Sequence, residues 1–350
     1  MSSITTGVYH RSYRADLALR HTLTEYVRLA LVLAAVVAAP FVASPYWVHV
    51  LDDIGIAVIG AIGLNILVGY TGQISLGQGG FLAVGAYTAG LISIHSALPP
   101  LVGIFLAGLV SAAIGAFFGL PALRLKGLYL AIATLASQVI IQWAIIHWSF
   151  LGAAEPLVIS EPSRIFGWTP SSDAQWYWVI AAFAVLAAIV ATNLFRTGVG
   201  RAFVAIRDQD VAAEAIGVNT SRYKILAFAI STGFAGVAGA LTAYWTTILT
   251  FERFTIDVSI LYLAMIIIGG LGSVSGAVYG AAFIVALPAG LQQLSNELHG
   301  SLGFIQANLP AIQQVIFGLS IMLFLVFEPK GLARIWQRAK DYFRLWPFRY

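Results

Sequence analysis

The sequence predicts an all-α, polytopic membrane protein of about ten helical spans. Three observations predict it. Apolar residues make up 59% of the 350-residue chain, charged residues only 10%, and long charge-free runs alternate with short basic segments. Soluble domains average about 45–50% apolar and about 25% charged, because their surface must face water. A chain this poor in charge covers its outer surface with hydrocarbon instead.

The charge-free runs are 29–51, 54–123, 127–154, 174–195, 225–251, 258–296 and 298–327. A helix needs roughly 20 apolar residues to cross the hydrocarbon core. Only helices and closed barrels satisfy every backbone polar group there, and runs without alternation are helical. The run 54–123 folds into three spans, broken at the glycine-rich stretch Gly69–Gly80 and at Pro99-Pro100. The run 258–296 would be roughly 58 Å long as one helix, so the glycines at 269, 270 and 272 divide it. The expected spans are about 29–45, 53–69, 80–95, 100–120, 128–148, 176–195, 225–249, 259–270, 274–293 and 310–327. Residues 1–28 are too long and polar for the leading region of a signal peptide, so 29–45 reads as a retained first span.

Basic residues set the orientation. With the N-terminus inside, every lysine and arginine except Arg164 and Arg253 falls in the inner segments 1–28, 124–127, 196–224 and 328–350. This is the positive-inside pattern. It places both termini in the cytoplasm and accounts for the net charge of +4 without nucleic acid. The domain plan is a cytoplasmic tail 1–28, a membrane domain 29–327 and a basic cytoplasmic tail 328–350.

An internal, parallel repeat is expected. Spans 1–4 and 7–10 share one order of loops and breaks. The stretch GYTGQISLGQGG (69–80) answers to GGLGSVSGAVYG (269–280), and Lys126-Gly127-Leu128 to Lys330-Gly331-Leu332.

Little in the sequence points to catalysis. No lysine follows a glycine, so there is no Walker A phosphate loop, and neither HExxH nor GxSxG occurs. The chain has no cysteine, which removes thiolate metal sites and disulfides. The expected span interiors hold no Asp, Glu, Lys or Arg, which argues against proton coupling through an intramembrane ionisable group.

Two stretches could carry transport chemistry. In the first break, Asn65, Gly69, Gly72, Gln73, Ser75, Gly77 and Gln78 offer amides, a hydroxyl and exposed backbone; Gly272, Ser273 and Gly276 do so in the second. Broken helices line substrate pathways in transporters, while small residues also serve close helix packing. The second stretch is the inner segment 196–224. There Gly200 to Gly217 fits a short amphipathic helix with Phe203, Ile206 and Val211 on one side and Arg207, Asp208 and Asp210 elsewhere. Such a helix suits a groove on a partner protein or a lipid surface.

Several stretches together resemble the permease family of branched-chain amino acid ABC importers, in its LivM-like branch. They are NILVGYTGQISLGQGGFLAVGAYTAG (65–90), LKGLYLAIATLA (125–136), GRAFVAIRDQDVAAEAIGVNTSRYKILAFAISTGFAGVAGAL (200–241), IGGLGSVSGAVYG (268–280) and FEPKGL (327–332). The resemblance implies a non-enzymatic subunit of a bacterial inner-membrane importer. Its implied partners are a second, LivH-like permease, two cytoplasmic ATPases and an extracytoplasmic solute-binding protein. ATP and Mg would bind the ATPases, and no cofactor would bind this chain. Glu214-Ala215 followed by Gly217 looks like the loop that docks onto the ATPase, with Arg201, Arg207 and Asp208 in the same coupling segment and Arg207 and Asp208 as rim contacts. After the fifth span the family often carries a glycine-rich TGG-type stretch, where this chain reads FLGAAEPLVISEP (150–162), so the substrate is left open. The rival reading from the residues alone is a stand-alone channel or ion-coupled carrier for a small solute.

Overall fold

The computed structural model describes residues 23–96, 98–151, 155–159, 169–170, 172–297, 309–327 and 331–345. Arg11, Arg14, Arg20, Arg164, Lys330, Arg349 and most of the expected outer loop 294–309 lie outside these residues. The chain divides into two compact units, Met1–Val48 and His49–Tyr350.

The first unit contains α1 (Leu23–Val42), with Pro40 in its last turn. Proline cannot donate to the helix ladder, and the helix stops two residues beyond it. Leu31, Phe41 and Val42 on α1 are exposed.

The second unit takes up the helix that starts at Pro45. This α2 (Pro45–Asn65) continues as a single π turn, Ile66–Tyr70. There follow α3 (Gln78–His95), α4 (Pro100–Phe118), α5 (Leu128–His147) and α6 (Asp173–Arg196). Then come α7 (Gly198–Ala215), α8 (Thr220–Thr246), α9 (Ile256–Gly269), α10 (Val274–Glu297), α11 (Leu309–Phe327) and α12 (Leu332–Leu345). Helix starts follow the local sequence. Pro100 sits in the first turn of α4, where a missing amide is harmless. The Asn219 side chain caps α8 by accepting the Arg222 N–H at 3.0 Å. A two-residue antiparallel ribbon pairs β1 (Leu157–Val158) with β2 (Ile248–Leu249), Leu157 opposite Leu249.

Six of these helical segments are long and apolar enough to cross a membrane, counted among the described residues: Pro45–Tyr70, Pro100–Phe118, Leu128–His147, Asp173–Arg196, Thr220–Thr246 and Val274–Ser295. The protein is thus an all-α, multi-pass membrane protein. The 14 residues of α9 reach roughly 21 Å, less than the roughly 30 Å of hydrocarbon.

The core forms around α8, which packs along both α3 and α4. Phe81, Phe203, Phe228 and Tyr244 are fully buried there. Small residues set the spacing. A Cβ added at Gly236 would lie 2.5 Å from Ser111 Cβ, 2.8 Å from the Ala107 carbonyl and 3.1 Å from Gly108 Cα, while one at Gly85 would strike the Gly236 backbone itself. Where lipid tails are as apolar as side chains, backbone approach of this kind is the main source of helix association.

One expectation fails at the N-terminal end of α2. The span was expected to begin at residue 53, with no ionisable group in its interior, but the helix begins at Pro45. Asp52 therefore lies two turns inside it, wholly buried, and neither carboxylate oxygen has a hydrogen-bond partner. The charged pair Asp52-Asp53 lies within the helix rather than at its boundary.

The packing yields a test. Gly236→Leu should force α8 away from α4, at a cost of about 1–3 kcal/mol or more. The expected result is a lower yield of folded protein in the membrane and a lower melting midpoint after detergent extraction. An unchanged midpoint would mean that the α4–α8 contact has slack.

Candidate functional site

The two glycine breaks meet. At the end of α2 the Asn65 side chain turns across the gap. Its Nδ2 donates to the Ser273 carbonyl at 2.7 Å, and its Oδ1 accepts the Gly272 N–H at 3.0 Å. One amide thus satisfies a backbone donor and a backbone acceptor in the turn between α9 and α10. Gly72 and Gly272 both hold positive φ, 68° and 73°, a conformation that side chains with a Cβ resist. A Cβ at Gly69 would collide with the Gly272 amide and with Asn65. Ser273 begins α10 by accepting the Gly276 N–H on its Oγ at 3.1 Å.

Arg207 enters the junction from α7. Its Nη1 donates to the Gly69 carbonyl at 3.1 Å. A Cβ at Gly272 would lie 3.1 Å from that same Nη1, and one at Gly72 would lie 3.2 Å from Arg207 Cγ. One guanidinium therefore lies against both breaks. The Gly69 carbonyl lies in the last turn of the helix, where no intrahelical partner remains. Tyr70, at the end of that turn, stacks on Phe195 of α6 with ring centroids 3.4 Å apart.

The expected site residues fall into three groups. Asn65, Gly69, Gly72, Gly272, Ser273 and Gly276 form the junction with Arg207. Gln73, Ser75, Gly77 and Gln78 are buried and bonded elsewhere. Gln73 Nε2 donates to Thr71 Oγ1 at 2.9 Å, and Gln78 Nε2 to the Gly60 carbonyl at 3.0 Å. The Gly77 N–H points to Ser75 Oγ at 3.4 Å, and a Cβ at Gly77 would lie 2.7 Å from the Thr134 carbonyl on α5. Beside them the Gly79 N–H donates to Ser259 Oγ at 2.7 Å, and the Ser259 hydroxyl donates to Gln138 Oε1.

The third group is on α7. Gln209 has extended backbone, φ −164° and ψ 108°, inside the helix. This kink corrects the single apolar face expected for 200–217. Phe203 and Ile206, before it, are buried; Val211, after it, is 65% exposed. Beyond the kink Glu214, Ala215, Ile216 and Gly217 are all exposed. Gly217 ends the helix at φ 92°. Its N–H donates to the Glu214 carbonyl and the Val218 N–H to the Ala213 carbonyl, both at 3.0 Å, which is a Schellman cap. Arg201 stays with the end of α6, pointing to the Arg196 carbonyl at 3.4 Å. Asp208 is exposed and pairs with Arg207 at 3.1 Å. Arg207 stays exposed beside Asp208, and the helix before the kink also brings its Nη1 to the breaks.

Two features had no signal in the spacing. Asp210 receives Lys126 from the loop after α4 at 2.6 Å and Lys224 from α8 at 3.3 Å. The Lys126 hydrogen bond, with Lys224 adding to it, holds the Asp210 carboxyl below its ordinary value of 3.8 against the opposing pull of desolvation. At the far end of α2, His49 Nδ1 lies 3.1 Å from Asp173 Oδ2 and the Trp245 Nε1–H donates to Asp173 Oδ1 at 3.2 Å.

Membrane helices broken by glycine and bound to a charged, polar helix suit a membrane transport component. The chain belongs to the family described as branched-chain amino acid transport system / permease component, which matches residues 46–325. It is 32% identical to the high-affinity branched-chain amino acid transport system permease protein LivM of Salmonella typhimurium, over 89% of this chain and 75% of that protein. The LivM of Escherichia coli is 31% identical over the same shares. A probable branched-chain amino acid transport permease protein LivM of Methanocaldococcus jannaschii is 26% identical over 78% of this chain and 82% of its own. No solved structure matches the chain.

Two tests follow from the geometry. Asn65→Ala leaves the Gly272 N–H and the Ser273 carbonyl without partners, a loss of about 1–3 kcal/mol. Differential scanning of the purified protein should read it as a lower midpoint, with Asn65→Asp also lowered because it keeps the acceptor and loses the donor. The second test concerns acid. A carboxyl held below its unfolded value contributes stability that is complete above that value and is lost as pH falls through the folded one. The contribution of Asp210 should therefore be constant down to about pH 4 and decline below it. Asp210→Asn should remove that acid-side decline from a plot of melting midpoint against pH; a parallel curve would assign the decline to other carboxylates.

Proposed function

We propose that this chain is the membrane-spanning permease subunit of an ATP-driven importer for branched-chain or related amino acids, or another small polar solute. ATP and Mg bind partner ATPases, and a second, LivH-like permease and an extracytoplasmic binding protein complete the assembly. The observation that carries the reading is Arg207, whose guanidinium lies against both breaks on the helix whose far half is exposed. That far half, Glu214 to Gly217, is the surface offered to an ATPase. Movement there reaches Gly69, Gly72 and Gly272 through Arg207.

The same reading has ten crossings, with α9 the short one, and both termini in the cytoplasm of a bacterial inner membrane. Residues 29–327 form the membrane domain and 196–224 its coupling segment. The matched positive φ of Gly72 and Gly272, and of Gly127 (58°) and Gly331 (74°), supports a parallel repeat. In a repeat of this kind the two breaks form a paired constriction that rearranges as access alternates.

The test measures solute uptake and ATPase co-purification together. Glu214→Arg should reduce co-purified ATPase at least tenfold while the permease still inserts. Arg207→Ala should keep the ATPase bound and lower uptake at least tenfold, as should Gly72→Val and Gly272→Val if those proteins accumulate. Undiminished ATPase capture by Glu214→Arg would refute the docking surface. Uptake by the chain alone, without ATPase or ATP, would support the stand-alone carrier instead.

A further inference from the structure

The last helix takes no part in the junction. Its sequence, LARIWQRAKDYFRL, divides at 100° per residue into an apolar face of Leu332, Ile335, Trp336, Ala339 and Phe343 and a basic face of Arg334, Arg338, Lys340 and Arg344, with Asp341 the one acid. Its start is anchored. A Cβ at Gly331 would lie 2.5 Å from the Gly270 amide, Ala333 is buried and Leu332 packs on the core. Trp336 faces Tyr279 edge-on, with ring centroids 6.4 Å apart. The rest of the described apolar face is open: Ile335 is 44% and Trp336 56% exposed.

Three facts indicate what covers that face. The helix begins five residues after apolar α11 ends at Phe327, so the chain has just left the hydrocarbon. It is tied to Gly270, beside Gly272 and Arg207, and so shares the α7 end of the molecule. In the sequence the basic positions border the apolar stripe of the helical period, a pattern in which long basic side chains reach headgroups while the stripe enters the acyl boundary. The charge sign matches anionic lipid. We propose that α12 is an interfacial helix that binds the anionic phospholipid surface at the end of the bundle carrying α7.

The chain has no cysteine, so single labels report cleanly. Full-length Ile335→Cys and Gln337→Cys proteins would carry a polarity-sensitive dye in nanodiscs of phosphatidylcholine, with or without about 30% phosphatidylglycerol. In anionic discs the 335 label should shift to the blue and be quenched by bromolipid at least threefold more than the 337 label. That contrast should fall by at least half in neutral discs, at about 0.5 M salt, and in the Arg334→Glu, Lys340→Glu double variant. The salt series decides the matter if the double variant does not fold. Equal quenching of both labels by aqueous iodide in anionic discs would overturn the proposal. So would a 335 label shielded from both lipid and water, which would mean a protein partner on that face. Equal lipid quenching in neutral and anionic discs would overturn the anionic requirement. No transport is measured, so the result is independent of the proposed function.

Discussion

A helix broken in an apolar medium exposes backbone groups that lipid cannot satisfy, and the junction of the two glycine breaks is organised by that constraint. Asn65 answers it with one side-chain amide that bonds a donor and an acceptor of the opposite turn. Arg207 answers it for the Gly69 carbonyl. Each is a side chain from one element completing the backbone of another. The breaks, α7 and the turn between α9 and α10 therefore cannot shift separately without breaking these part-buried bonds.

Close packing by small residues supplies the rigid half of the molecule. The backbones of α3, α4 and α8 approach so closely at Gly85, Gly236 and Gly239 that no added atom fits. The polar junction lies beside this block, on elements tied by a few directional bonds. A packed body next to a hydrogen-bonded hinge suits a protein whose parts change access in turn. Asp210, with two lysines from different elements, fastens α7 to the loop after α4 and to α8 just past the kink.

Much of the fold was legible because span length and charge placement are set by the bilayer. The breaks at Gly69–Gly80 and Gly269–Gly280 showed as clusters of glycine, and Gly217 showed as a helix end. Three things were not legible. The kink at Gln209 has no proline or glycine to announce it, so Val211 was placed on the wrong face. Asp52 was taken for a boundary, because nothing in the sequence says that a carboxylate is buried without a partner. The contact of Arg207 with both breaks depends on elements about 65 and 140 residues away along the chain, beyond the reach of any local pattern. The amphipathic period of α12 was present in residues 332–345, but a basic tail was a sufficient account of the same charges.

Asn65 and Gly272 stand 207 residues apart. At a synthesis rate of roughly 5–20 residues per second, some 10–40 s separate the arrival of one from the other. Throughout that interval the first break has no counterpart, and the amide of Asn65 must be held by water or by the insertion machinery. The helices made before α9 therefore lack one set of partners until the turn between α9 and α10 is made. The final closure of the bundle is a late event, timed by the ribosome, and a chain arrested before residue 272 would carry an open polar seam.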